Sequence, residues 1–192
     1  MQKLFESYVR QLFPECQIDL SIVEPFLKLK RVEREEYLFH EGDVCNFVGL
    51  VKQGCLRTFF LKDGKELTLF FHPENYTLGD YESLRRQKPA CFSCQAIEDS
   101  EVLTIGARAI ATLENEPDGQ KLLRLVVENL AFQLRDCLLS LYRDSIEQRY
   151  LNFVENEPNL LQRIPQYYLA SHLGIEPESL SRLKRRLDKT KS

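Results

Sequence analysis

The stretch Asp118–Arg149 contains no proline and, after Gly119, no glycine. Both residues interrupt helices, so a stretch this long without them fits a single long helix. Within it Leu123, Val127, Leu130, Leu134, Cys137 and Leu141 recur at alternating spacings of four and three. That is a heptad seam, which keeps a narrow apolar stripe turned towards a partner helix. The same pattern also fits a long helix packed on its own domain. Leu122, Val126, Leu138 and Tyr142 flank the stripe and can face the rest of the chain. A helix used on both sides suits a place between a domain and a second copy, so a dimerisation helix is expected over 118–145.

Upstream the period is different. Residues 2–13 read as a short amphipathic helix with Leu4, Phe5, Tyr8, Val9 and Leu12 on one face, stopped by Pro14. Asp19 suits the cap of a second short helix carrying Leu20, Ile22, Val23, Phe26 and Leu27. From about Lys28 to Ile105 the apolar runs become short and β-rich, with turn residues between them. Such spacing argues for an antiparallel roll, sandwich or barrel. Asp63-Gly64 between two alternating runs is a hairpin signal. Helical period returns from about Ala107.

Six cysteines are scattered at Cys16, Cys45, Cys55, Cys91, Cys94 and Cys137, several inside apolar patterns. Buried free thiols in a reducing cytoplasm are expected, rather than a disulfide framework. No apolar run approaches the roughly 20 residues of a membrane span, and charges interrupt the N-terminal MQKLFESYVRQLF, unlike a signal peptide. A cytoplasmic chain with no membrane partner is expected. The net charge of −3 excludes binding nucleic acid by overall charge alone. Charge is segregated, however: Arg182, Lys184, Arg185, Arg186, Lys189 and Lys191 face only Asp188 in the C-terminal tail.

That tail completes a motif. After the break at Asn156–Asn159, Pro165 suits a first helical position, and Tyr168, Leu169, Ala170 and Leu173 mark a short helix. Ala170 is small where a second helix must cross, and Gly174 tolerates the left-handed turn that ends the first helix. Glu176 and Pro177 start a second helix that buries Leu180, Leu183 and Leu187. Its other face carries Glu178, Ser179, Arg182, Lys184, Arg185 and Arg186. This is a helix-turn-helix pattern, whose second helix can enter a major groove of double-stranded DNA. Arg182 can fork onto a guanine edge or a phosphate; Glu178 can accept from cytosine or orient Arg182.

The order of β-roll, long helix and helix-turn-helix resembles the CRP/FNR family of transcription regulators over nearly the whole chain. The matching segments are LFHEGD (Leu38–Asp43), FVGLVKQGCLRTFF (Phe47–Phe60), KDGKELTLFFHPEN (Lys62–Asn75), LGD (Leu78–Asp80) and LASHLGIEPESLSRLKRRL (Leu169–Leu187). The resemblance implies base readers at Glu178 and Arg182 with Ser179 between, and phosphate contacts near Gln166 and Tyr167. Pro177 stands where the family often has a further basic reader. Ser192 follows soon after the second helix, so the family's β-hairpin wing is expected to be absent or truncated. In the implied effector pocket, Gly79-Asp80 keeps a shortened carboxylate, and Ala90-Cys91 replaces the Arg-Ser/Thr pair that holds a cyclic phosphate. Losing that arginine removes the charge-assisted contact that offsets burial of a phosphate. Arg85 and Arg86 lie in a different part of the loop. A response to cAMP is therefore not expected.

Other chemistries find little support. Cys91 and Cys94 form a C-x-x-C pair without a second ligand pair, and on a strand residues three apart face opposite ways. His40, His72 and His172 are isolated from one another. No nucleotide loop, nucleophile elbow or metalloprotease motif is present. The expected protein is not an enzyme and carries no metal or cofactor. It is an α+β chain with N-terminal helices and an antiparallel, cyclic-nucleotide-binding-like β-roll over 1–117, the dimerisation helix, and a small all-α helix-turn-helix domain over 146–192. Its expected partners are double-stranded DNA, a second copy, RNA polymerase and an unknown small-molecule effector. An effector-binding or protein-interaction module with a vestigial helix-turn-helix is the alternative.

Overall fold

A computed structural model describes residues 1–190. Lys191 of the basic tail lies outside the described residues. Helix α1 (Gln2–Leu12) buries Phe5 and Val9. The short helix expected after Asp19 is instead two 3-10 turns, Leu20–Ile22 and Glu24–Phe26. Asp19 does cap the first, accepting from the Ser21 N–H. Pro25 lacks the N–H that a continuing α-helix requires, and Leu27 already belongs to the first strand.

Eight strands follow: β1 (Leu27–Val32), β2 (Tyr37–Phe39), β3 (Phe47–Gln53), β4 (Leu56–Lys62), β5 (Lys65–His72), β6 (Thr77–Leu78), β7 (Ser93–Ala96) and β8 (Ser100–Gly106). They form two antiparallel sheets, ordered β1-β8-β3-β6 and β2-β7-β4-β5. Alternation places Val51, Leu56, Leu78, Cys94, Ala96 and Val102 between the sheets, with Phe39 and Leu38. The β4–β5 turn is Asp63-Gly64 with φ of 53° and 76°, the left-handed pair that a two-residue hairpin needs. Between β6 and β7 lies the short helix α2 (Tyr81–Arg86). After β8 come α3 (Ala107–Glu114) and α4 (Pro117–Arg143). Leu113 and Leu122 from these helices complete a second core with α1, the 3-10 turns and the outer face of the first sheet.

The long helix does not continue to Arg149. It stops at Asp144, and α5 (Ile146–Asn156) begins under Ser145, whose side chain accepts from the Gln148 N–H. Ser145 is thus an N-cap, which stabilises a new helix start over continuation of the old one. Only the first half of α4 packs on the roll. Leu138 and Tyr142, which the sequence allows to face the roll, are exposed.

Helices α6 (Gln166–Leu173) and α7 (Pro177–Thr190) close the described chain. They sit against the outer face of the second sheet, not apart from it. Phe71 of β5, with Cys55 just before β4 and Ile97 just after β7, shares one apolar cluster with Leu169, Leu173, Leu180 and Leu183. Fully burying a leucine contributes about 2–3 kcal/mol, so this contact is a substantial part of what holds α6 and α7 in place. The architecture is α+β, an antiparallel roll followed by a long helix and further helices.

Candidate functional site

Two places hold the residues singled out by the sequence. The first is the loop around α2. Gly79 has φ +124°, and a Cβ there would meet the Phe47 carbonyl at 3.0 Å. Asp80 is buried and caps α2. One carboxylate oxygen accepts from the Ser83 N–H at 2.9 Å and the other from the Cys91 N–H at 3.3 Å. The carboxylate thus ties both ends of the loop together. Ala90 is buried, and its backbone pairs with the Gly42–Asp43 turn. Cys91 is exposed, unlike the buried thiols expected, and Cys94 is fully buried in the roll. The two sulfurs therefore lie in separate environments. Burial pushes the Cys94 thiol up, and the Cys55 thiol up to about 12, so both stay protonated at neutral pH. Arg85 pairs with Glu114 at 2.6 Å and Arg86 with Glu82 at 3.0 Å. Both guanidinium groups are engaged on the outside of α2.

The second place is the pair α6 and α7. Gly174, with φ 70° and ψ 32°, ends α6 in the left-handed conformation. Pro165 sits one residue before the first helical position, as the N-cap of α6, and Pro177 opens α7. Ala170 is fully buried where the helices cross, and Leu180 fills the same contact. Gln166 and Tyr167 are exposed at the start of α6. Along α7, Glu178, Arg182, Arg185 and Arg186 are exposed and Ser179 is half-buried. The Arg182 guanidinium donates to the Ser179 hydroxyl at 3.1 Å. Lys184 is drawn towards the Tyr150 ring, and Arg186 pairs with Glu147, so these two lean onto α5. The heptad residues Val127, Leu130, Leu134 and Leu141 are exposed on α4, while Leu123 packs against the roll's core and Cys137 is half-buried.

Sequence reasoning missed the residues that join the roll to α6 and α7. Arg57 of β4 is 1% exposed. Its guanidinium lies between two rings, 4.0 Å from the centre of Phe59 and 3.7 Å from that of Tyr168 on α6. It donates to Glu66 at 2.5 Å, to Gln95 at 2.6 Å and to Thr68 at 3.3 Å. The Ser171 hydroxyl accepts from the Thr68 N–H at 3.0 Å and donates to the Glu66 carbonyl at 2.6 Å. Arg163, just before α6, pairs with Glu74 at 2.9 Å and also with Glu98. These two carboxylates push its already high pKa further up. A signal was present: CLRTFF carries apolar residues at both parities of a strand, which implies a cover on the outer face.

Residues 29–116 match the cyclic nucleotide-binding domain family. Solved structures extend the likeness along the chain. FixK2 from Bradyrhizobium japonicum is 18% identical with a TM-score of 0.72, covering 85% of this chain and 85% of that one. A CooA mutant from Carboxydothermus hydrogenoformans is 16% identical with a TM-score of 0.71, covering 95% and 84%. CLP, the c-di-GMP responsive global regulator of Xanthomonas campestris, is 18% identical with a TM-score of 0.70, covering 90% and 93%. The fold implied by the sequence resemblance is the fold observed. Comparison with curated proteins gives no match. Among the described residues, no helix is long and apolar enough to cross a membrane.

Proposed function

We propose that this chain is a cytoplasmic, dimeric, sequence-specific DNA-binding transcription regulator of the CRP/FNR type, with a roll that does not take cAMP. The observation that carries the reading is the exposed face of α7. Glu178 and Arg182 stand clear of the roll on a helix whose apolar face is sealed against α6. A helix-turn-helix reads DNA through such a second helix, with the first resting across the phosphates. Gln166 and Tyr167 are open at the head of α6 for that purpose. Arg182 reads a guanine edge or holds a phosphate, steadied by Ser179. Arg185 supplies charge towards the backbone, and Arg186 and Lys184 follow if they leave Glu147 and Tyr150.

Two copies joined along the exposed α4 stripe present two α7 helices to successive major grooves, about 34 Å apart. Action on transcription through RNA polymerase belongs to the same reading, as does a small-molecule effector other than cAMP.

Selection from a pool of random duplexes at moderate salt tests it. A palindromic consensus is expected. Salt-sensitive binding with no consensus would overturn it and favour a module whose helix-turn-helix is vestigial. Arg182→Ala should relax preference at one base pair per half-site, lowering discrimination there by about 1–3 kcal/mol. Unchanged preference would remove Arg182 from the reading role.

A further inference from the structure

We propose that the tip of the β4–β5 hairpin, through Lys62 and Lys65, is a second DNA-backbone contact contributed by the roll. The inference rests on the DNA-binding reading of α7. Lys65 donates to the Glu176 carboxylate at 2.5 Å. Glu176 immediately precedes Pro177, the first residue of α7. The hairpin tip therefore stands beside the end of the helix that enters the groove.

Three observations support a contact with phosphate. First, Lys62 and Lys65 are direct cross-strand partners in the register, flanking Asp63-Gly64. Directly opposed residues project from one face, and opposed like charges destabilise a hairpin. Glu176 meets Lys65, but among the described residues no carboxylate meets Lys62, which leaves that charge for an anionic partner. Second, Lys62, Asp63, Gly64 and Lys65 are all exposed. Third, the hairpin is held in place: Ser171 of α6 bonds both the Thr68 N–H and the Glu66 carbonyl of β5, and Arg57 lies under Tyr168. These contacts tie the hairpin to α6, which packs on α7.

The local charges explain why this helix needs the hairpin. Glu176 and Glu178 place two carboxylates at the head of α7. Phosphates flank a major groove only about 12 Å wide, so a carboxylate at the entering end of the helix is repelled by them. Lys65 neutralises Glu176, and Lys62 adds a charge on the same face, against Asp63 in the turn. The hairpin thus does from the sensor side what a wing does from beyond the reading helix.

The test uses the full chain and its own selected duplex, with affinity measured by fluorescence anisotropy over a range of salt concentrations. The double variant Lys62→Gln, Lys65→Gln is expected to bind about 10-fold or more weakly. Its slope of log K against log salt should be shallower by about 1.8, from roughly 0.9 per phosphate contact. The loss should be equal on selected and unrelated duplexes, since phosphate contacts carry no sequence information. Glu176→Gln should bind more tightly than wild type. If wild type selects a duplex but the double variant keeps its salt slope, the hairpin contact is wrong and the regulator reading stands. If wild type selects none, both fall.

Discussion

Arg57 and Ala90 show opposite uses of charge in one roll. Burying a guanidinium is costly unless its donors are met and its faces packed. Arg57 meets both conditions, with Glu66, Gln95 and Thr68 as acceptors and two aromatic rings as covers. In the pocket proposed from the family resemblance, Ala90 and Cys91 stand at the phosphate position, and the Asp80 carboxylate is occupied by two backbone N–H groups. Arg85 and Arg86 are paired with Glu114 and Glu82. A bound phosphate would thus sit beside a carboxylate with no guanidinium to offset it. Micromolar cAMP or cGMP is accordingly expected to leave the melting temperature unchanged, whereas a binder at 100 times its Kd would add about 2.7 kcal/mol of stability. A clear rise in melting temperature with either nucleotide would reverse this reading of the pocket. The proposed absence of a phosphate-binding arginine rests on the sequence resemblance, which places Ala90 and Cys91 at that position. The role of Arg57 could not be read from the sequence, since its partners lie on other strands and on α6.

At the level of elements, hairpins and helix ends were the most legible features, because their signals are local. Asp63-Gly64, the Asp19 cap and the turn at Gly174 each depend on one or two residues. The break at Asp144 is equally local, yet the absence of proline and glycine there favours one helix through Arg149. Capping by Ser145 ended it instead. The consequence is mechanical. Helix α4 ends at Arg143 and α5 starts afresh, and Val127, Leu130, Leu134 and Leu141 are exposed on α4. Isolated helices gain little from propensity and much from an apolar face that is covered. Leu134 lies in the middle of the seam and is 48% exposed in the single chain. In the proposed dimer, Leu134→Glu should shift the protein to monomer in sedimentation velocity, with the far-ultraviolet circular dichroism nearly unchanged. A Leu134→Glu protein that still sediments as a dimer would place the two-fold contact elsewhere.

For the whole molecule, the position of α6 and α7 decides how the parts communicate. The sequence pattern suggests a separate domain after residue 145, because each amphipathic helix shows only which face is apolar, not what covers it. The covering surface is the second sheet, where Phe71 of β5, with Cys55 just before β4 and Ile97 just after β7, shares a cluster with Leu169 and Leu173. Arg163 bridges the boundary to Glu74 and Glu98, and Tyr168 closes over Arg57. A core shared in this way should unfold together, so near- and far-ultraviolet circular dichroism should report one coincident thermal midpoint. Tyr168→Ala removes the ring that covers the buried guanidinium and opens a cavity beside it. Such a change costs about 3–5 kcal/mol, and here it falls on the contact between roll and helices. The variant should therefore lose its single transition: the helices detach at a lower temperature, while the roll, whose inner core of Val51, Leu56 and Val102 is untouched, melts later. Coincident midpoints in Tyr168→Ala would mean that the rest of the apolar cluster couples the two parts, and that the covered arginine contributes nothing to holding α6 and α7 on the roll.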